Sequence, residues 1–193
     1  MKIIGVGCGP GMLTEHAIRE ISQASIIYGS DRAVELAKSY IPPDCVVKTI
    51  DDFKNLDKVG ENAVILSTGD PMLAGLGYLS GEVIPGISSL QLVTARLHIP
   101  LSRISVVVAH GRGHEKGIKD TIEEISRGKI VFLLADPKFD VLMLYTRLES
   151  LSSPIRIALC ENLGYPGEHI LIQDLRFRPQ PVEALYSLVI GNF

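Results

Sequence analysis

The feature that most constrains this chain is a repeated grammar in its first half. Short apolar runs end in Gly, Pro, Ser or Asp and are followed by stretches of helical periodicity. Residues 2–6 (KIIGV) form the first run. It breaks at 5-GVGCGPGMLTEHA-17, after which Leu13, Ala17, Ile18 and Ile21 fall on one helical face. Thr14 suits the N-cap of that helix and Glu15 its first turn. Further strand-like runs are SIIYG (25–29), CVVKTI (45–50), AVILS (63–67) and VIPG (83–86). Ser30 caps a helix carrying Ala33, Val34 and Ala37, and the serines of SSLQLVTARL (88–97) open another. Alternating strands and helices predict a parallel sheet.

From about residue 101 the grammar changes. ISVVVAH (104–110) and KIVFLLAD (129–136) read as strands around an amphipathic helix marked by Ile118, Ile122 and Ile125. Asp136-Pro137 has the form of a helix start, with Phe139, Leu142 and Leu148 on the buried face. IRIALCEN, HILIQDL and ALYSLVIGN are strands with no helix between the last of them. The expectation is an α/β protein of two domains. Residues 1–100 form an N-terminal α/β domain with a parallel sheet, and residues 101–193 a C-terminal α+β domain with a mixed sheet. The joint falls near 97–102. Ligand sites in open α/β sheets lie beyond the carboxyl ends of strands. This singles out the loops at 7–12, 67–75, 85–89, 110–114 and 135–138.

Composition excludes several classes. With 46% apolar and 21% charged residues the chain is globular rather than disordered. A net charge of −3 with no Lys/Arg run argues against nucleic acid. Cys8, Cys45 and Cys160 are far apart and form neither a CxxC pair nor a metal spacing, which fits a reduced, cytoplasmic setting. The N-terminus reads as a buried strand rather than a signal peptide, and no run reaches the ~18 apolar residues of a membrane span.

The glycine loop does not match the phosphate-binding patterns. In the Walker frame, Met12-Leu13 occupies the positions of Lys and Ser/Thr. In the G-x-G-x-x-G frame the last position is Pro10 or Met12, and Tyr28-Gly29-Ser30 stands where the second strand should end in an acid. What remains is a tight G-x-G-P-G turn, which alone also suits a connection with no ligand.

Three more stretches follow in order at strand ends: 67-STGDPMLAG-75, 84-IPGISSL-90 and 161-ENLGYPGEHI-170. The set G-x-G-P-G, [ST]-G-D-P and P-G-[IV]-S-S resembles the tetrapyrrole methylases, which transfer a methyl group from S-adenosylmethionine. The segments VVVAHGRG (106–113), ENLGYPGE (161–168) and LYSLVIGN (185–192) are most similar to the branch that methylates C5 of a corrin precursor on the way to cobalamin. The resemblance spans nearly the whole chain. It departs from the family at 72–82, which is short for the usual helix plus strand, and the second, fused methylase of many relatives would be a separate protein.

The resemblance implies two α/β domains with S-adenosylmethionine folded into the cleft between them, a homodimer, and a polycarboxylate tetrapyrrole as substrate. It implies cofactor contacts from Pro10, Gly69, Asp70, Leu73, Ser88 and Ser89, with Ala135 and Leu163 from the second domain. Gly9 and Gly11 would face the macrocycle, because the absence of side chains lets a flat ring approach backbone. His110 and Arg112 would meet the substrate's carboxylates, Arg112 as a bidentate partner. His114 lies in the same loop. Asp70 also suits an Asp-Pro turn, Ser88 a plain N-cap and Arg112 a solvated loop. Gly111 and Gly113 argue against a helix that holds both His110 and His114, so no metal site is expected. Glu161 and Glu168 flank the Gly-Tyr-Pro-Gly loop, and neither is assigned as a base. The alternatives are a relative acting on another macrocycle carbon or another substrate, and a non-catalytic binding module.

Overall fold

The computed structural model describes residues 1–50, 56, 59–109, 113–151 and 154–193. The chain divides into two compact units, Met1–Ser89 and Leu90–Phe193. The division falls after the first residue of the helix at 89–97, whereas the sequence pattern put the joint near 97–102.

In the first unit the expected alternation forms β1 (Lys2–Gly5), α1 (Glu15–Ile21), β2 (Ile26–Gly29), α2 (Asp31–Ala37), β3 (Val46–Thr49), β4 (Val64–Ser67) and β5 (Glu82–Ile84). All five strands are parallel, in the order β3-β2-β4-β1-β5. The central β4 is buried at every position, as a strand covered on both faces must be. Thr14 and Ser30 cap α1 and α2 through their side-chain oxygens. One face of the sheet packs Ile4, Ile27 and Leu66 against Ala17, Ile21 and Ala33. On the other face Ile3 and Ile65 meet Leu76 and Leu79. The short 72–82 stretch thus covers the sheet with two leucines from a chain of turns, and no helix forms there.

The second unit holds most of α3 (Ser89–Leu97), then β6 (Ile104–Ala109), α4 (His114–Ser126), β7 (Ile130–Ala135), α5 (Val141–Leu148), β8 (Arg156–Glu161), β9 (His169–Asp174) and β10 (Tyr186–Gly191). The sheet order is β6-β7-β10-β8-β9. Only β6 and β7 pair in parallel; the other pairs are antiparallel, so the sheet is mixed as expected. Its core joins Val107, Leu133, Leu159 and Leu188 to Ile118, Leu144, Tyr145 and Leu148. The fold class is the one expected from the sequence.

Two local expectations are corrected. Asp136-Pro137 does not open α5. Its cap is Asp140, whose side chain accepts from the Met143 N–H at 2.8 Å. The Asp136 carboxylate is engaged elsewhere, by the Lys138 N–H and the His114 ring. Shifting the helix start also moves the buried face to Val141, Leu144, Tyr145 and Leu148, and leaves Leu142 exposed.

Candidate functional site

The carboxyl ends of β1, β4 and β5 meet at three glycines. A Cβ on Gly86 would lie 2.3 Å from the Gly69 carbonyl oxygen, and one on Gly5 would lie 2.6 Å from the Gly86 nitrogen. No side chain fits at such distances, so the approach of these backbones requires glycine. Gly7 and Gly69 exchange two backbone hydrogen bonds, of 3.2 and 2.8 Å. The Val6 N–H donates to the Ser67 carbonyl at 2.9 Å. Asp70 closes the junction: Oδ1 accepts from the Met72 N–H at 2.8 Å and Oδ2 from the Gly86 N–H at 3.0 Å.

This arrangement explains the first glycine loop. Gly5 and Gly7 serve backbone packing, and the Gly7 N–H is already bonded. They do not form a free row of donors of the kind that cradles phosphate. Gly11 differs: its φ is +75°, and a Cβ there would meet nothing within 4 Å. The open side of the loop is therefore at Pro10 and Gly11, which are exposed, while Gly9 beside them is buried.

The structure brings together the first-unit residues singled out from sequence. Gly9, Pro10 and Gly11 follow β1; Gly69, Asp70 and Leu73 follow β4; Ser88 and Ser89 follow β5. The Leu73 N–H donates to the Asp70 carbonyl at 3.1 Å, and Ser88 is buried beside the start of α3. Asp70 is both a turn residue and the tie between two of these loops. In the second unit β10 is antiparallel to both β7 and β8, so those two run the same way. Ala135, which ends β7, and Leu163, just past β8, lie at the same end of that sheet, and both are buried. His110 and Arg112 lie outside the described residues.

Pairings at that end of the second sheet were not legible from sequence. His114, the first residue of α4, places Nε2 2.8 Å from Asp136 Oδ2. Its ring meets Phe139 edge-on, with centroids 5.5 Å apart. The Tyr186 hydroxyl donates to the Asp136 carbonyl at 3.1 Å, and burial pushes that phenol up to about 12. Asp136 signalled itself only as a helix cap, because the partner that engages it is distant in sequence.

Glu161 and Glu168 are both braces. Glu161 Oε1 accepts from the Val182 and Glu183 N–H groups at 2.6 and 2.8 Å. Burial alone would raise its pKa, but those two donors and His169 outweigh it and hold the carboxyl below its ordinary value. Glu168 accepts from Arg96 Nε at 2.6 Å and from the Gly164 N–H at 2.8 Å. The Arg96 bond, opposed by burial, likewise holds it low. A carboxylate stabilised in its charged form is a weak proton acceptor.

Residues 2–176 match the Tetrapyrrole (Corrin/Porphyrin) Methylases family. A probable cobalt-precorrin-7 C(5)-methyltransferase from Methanocaldococcus jannaschii is 30% identical over 190 residues, covering 89% of this chain and 88% of that protein. The crystal structure of a cobalamin biosynthesis precorrin-6Y methylase from Archaeoglobus fulgidus superposes with a TM-score of 0.77 at 30% identity, over 99% of this chain and 96% of that one. The fold is also that of a uroporphyrin-III C-methyl transferase from Thermus thermophilus complexed with S-adenosyl homocysteine, with a TM-score of 0.73 at 19% identity over 98% and 91% of the two chains. The chain belongs to the tetrapyrrole (corrin/porphyrin) methylases and is an S-adenosylmethionine-dependent methyltransferase.

Proposed function

We propose that this enzyme methylates C5 of cobalt-precorrin-7 in cobalamin biosynthesis. The observation that carries the reading is the 30% identity, along nearly the whole of both chains, to a relative that bears this activity in its name. The precorrin-6Y methylase of similar length and fold supports the same reading.

The residues present suit S-adenosylmethionine. The junction at Gly5, Gly69 and Gly86 offers backbone and an acid, with no lysine of the kind a triphosphate needs. Each Asp70 oxygen accepts one backbone bond, which leaves lone pairs for an ammonium or ribose hydroxyl. A Cβ on Gly69, whose φ is +69°, would have only Ser88 Cα near it, at 4.0 Å, so there is room beside it for a ligand. We assign cofactor contacts to Pro10, Gly69, Asp70, Leu73, Ser88, Ser89, Ala135 and Leu163. Gly9 and the open Gly11 are assigned to the macrocycle, with His110 and Arg112 for its carboxylates.

When bound, the cofactor supplies a methyl group already activated by its sulfonium. The chain's task is then orientation and exclusion of water. Well-placed reactants can lower a barrier by roughly 7–11 kcal/mol, without a nucleophile from the protein. The braced loops suit that task, because Asp70 and the glycine contacts hold three strand ends in one arrangement. The test is substrate choice. Offered cobalt-precorrin-7 or uroporphyrinogen III with S-adenosylmethionine, the enzyme should add one methyl to the first alone, as read by mass. Methylation of the porphyrinogen instead would overturn the reading.

A further inference from the structure

Methylation at carbon leaves the macrocycle one proton in excess, so something must take that proton. The sequence offers Glu161 and Glu168, and the structure removes both. Each is bonded on both oxygens or by paired backbone N–H groups, and each is held in its charged form.

The geometry points to His114 as the proton acceptor, with Asp136 as the residue that positions it. This rests on the methyltransferase reading above. Asp136 Oδ1 accepts from the Lys138 N–H at 2.8 Å and its carbonyl from the Tyr186 hydroxyl at 3.1 Å, and Oδ2 pairs with His114 Nε2 at 2.8 Å. A carboxylate only accepts, so Nε2 carries the hydrogen, and the neutral ring has its lone pair on Nδ1. Phe139, edge-on at 79°, fixes the plane of the ring. Among the described residues nothing else bonds the ring, and 27% of the side chain is exposed. An imidazole oriented through one nitrogen by an acid, with the other nitrogen open, is the arrangement a general base requires. It stands past the carboxyl ends of β6 and β7, where ligands of open α/β sheets bind.

The step balances. The macrocycle carbon bonds to the methyl as the methyl–sulfur bond breaks, and that pair stays on sulfur. The macrocycle then holds the positive charge. His114 Nδ1 takes a ring proton, and the pair of the broken bond neutralises the macrocycle. The imidazolium so formed lies against the Asp136 carboxylate.

The test compares His114→Gln, His114→Gly and Asp136→Asn, using whichever of the two macrocycles the wild type methylates. His114→Gln should lower kcat about 10²–10⁴-fold, the usual worth of a general base. KM and S-adenosylhomocysteine affinity should stay within about twofold, because a proton taken in the transition state lowers kcat and kcat/KM together and leaves ground-state binding intact. Added imidazole should restore turnover in His114→Gly, and Asp136→Asn should lower kcat without that rescue. In parallel, ¹⁵N NMR of histidine-labelled protein, assigned with His114→Gln, should show a bare Nδ1 and a protonated Nε2. Near-normal kcat in a folded His114→Gln variant, failure of imidazole rescue, or the opposite tautomer would each overturn the assignment. A wild type that methylates neither macrocycle would sink the substrate reading instead, and the tautomer, read without turnover, then decides for His114.

Discussion

Asp70 reaches across from the loop after β4 to accept the Gly86 N–H, 3.0 Å away, in the loop after β5. The two residues are 16 apart in sequence. Their bond joins two of the motifs by which the family is recognised, and it gives the Asp of the Gly-Asp-Pro turn a mechanical role beside any ligand role.

Asp70→Ala should therefore act on stability as well as binding. It removes a charged acceptor from two backbone donors, and such bonds are worth about 1.5–3 kcal/mol each when intact. A loss of about 2 kcal/mol in urea unfolding is expected, since water can reach this loop. A ligand at about 100 times its Kd adds about 2.7 kcal/mol to a folded protein. The rise in Tm that S-adenosylhomocysteine gives the wild type should shrink or vanish in the variant. An unchanged rise would remove Asp70 from the cofactor contacts and leave it as a brace.

Gly86→Ala and Gly11→Ala should separate packing from ligand approach. The first places a Cβ 2.3 Å from the Gly69 carbonyl oxygen, with backbone on both sides that cannot yield. It should cost about 3 kcal/mol or more, the upper range for overpacking. The second enters open space at φ +75° and should cost only about 1–2 kcal/mol of backbone strain. If Gly11 faces the macrocycle, that variant should raise KM for the macrocycle more than KM for the cofactor.

Glu161 gives a pH signature. Its folded pKa lies below the ordinary value of 4.5, so the unfolded chain binds the proton more readily. Stability from this group is present in full above that value and is lost as pH falls through the folded pKa. Glu168 shares the direction, through Arg96. Urea midpoints should fall between about pH 5 and 3 in the wild type, and fall less steeply in Glu161→Gln, which starts lower at pH 7. Parallel curves would show that the Val182 and Glu183 bonds do not discriminate charge.

The cysteines should differ in reactivity. Cys160 is fully buried, and burial pushes its thiol up to about 12. At pH 8 an aromatic disulfide reagent should label Cys8 and Cys45, which are partly exposed, well before Cys160. Cys160 should react only at the rate of unfolding.

Local elements were legible and distant pairings were not. Thr14 and Ser30 announce their helices because a cap acts within three residues. The apolar runs announce β1 and β4 because burial on both faces needs no partner to be named. Asp136-Pro137 misled for the converse reason: the carboxylate that would have capped a helix is engaged by His114, 22 residues earlier. Arg96 and Glu168 are 72 residues apart. Likewise, the Gly5–Gly69–Gly86 contacts depend on strand order, which periodicity does not encode. The candidate cofactor loops were found through motif order, and the reasons those motifs contain glycine appeared only with the fold.

The most direct measurement uses S-adenosylmethionine labelled with ¹³C in its methyl group and cobalt-precorrin-7 as acceptor, with the product read by ¹³C NMR. The account predicts one enriched methyl, on C5. Enrichment at another macrocycle carbon, or cofactor binding with no transfer at all, would contradict it.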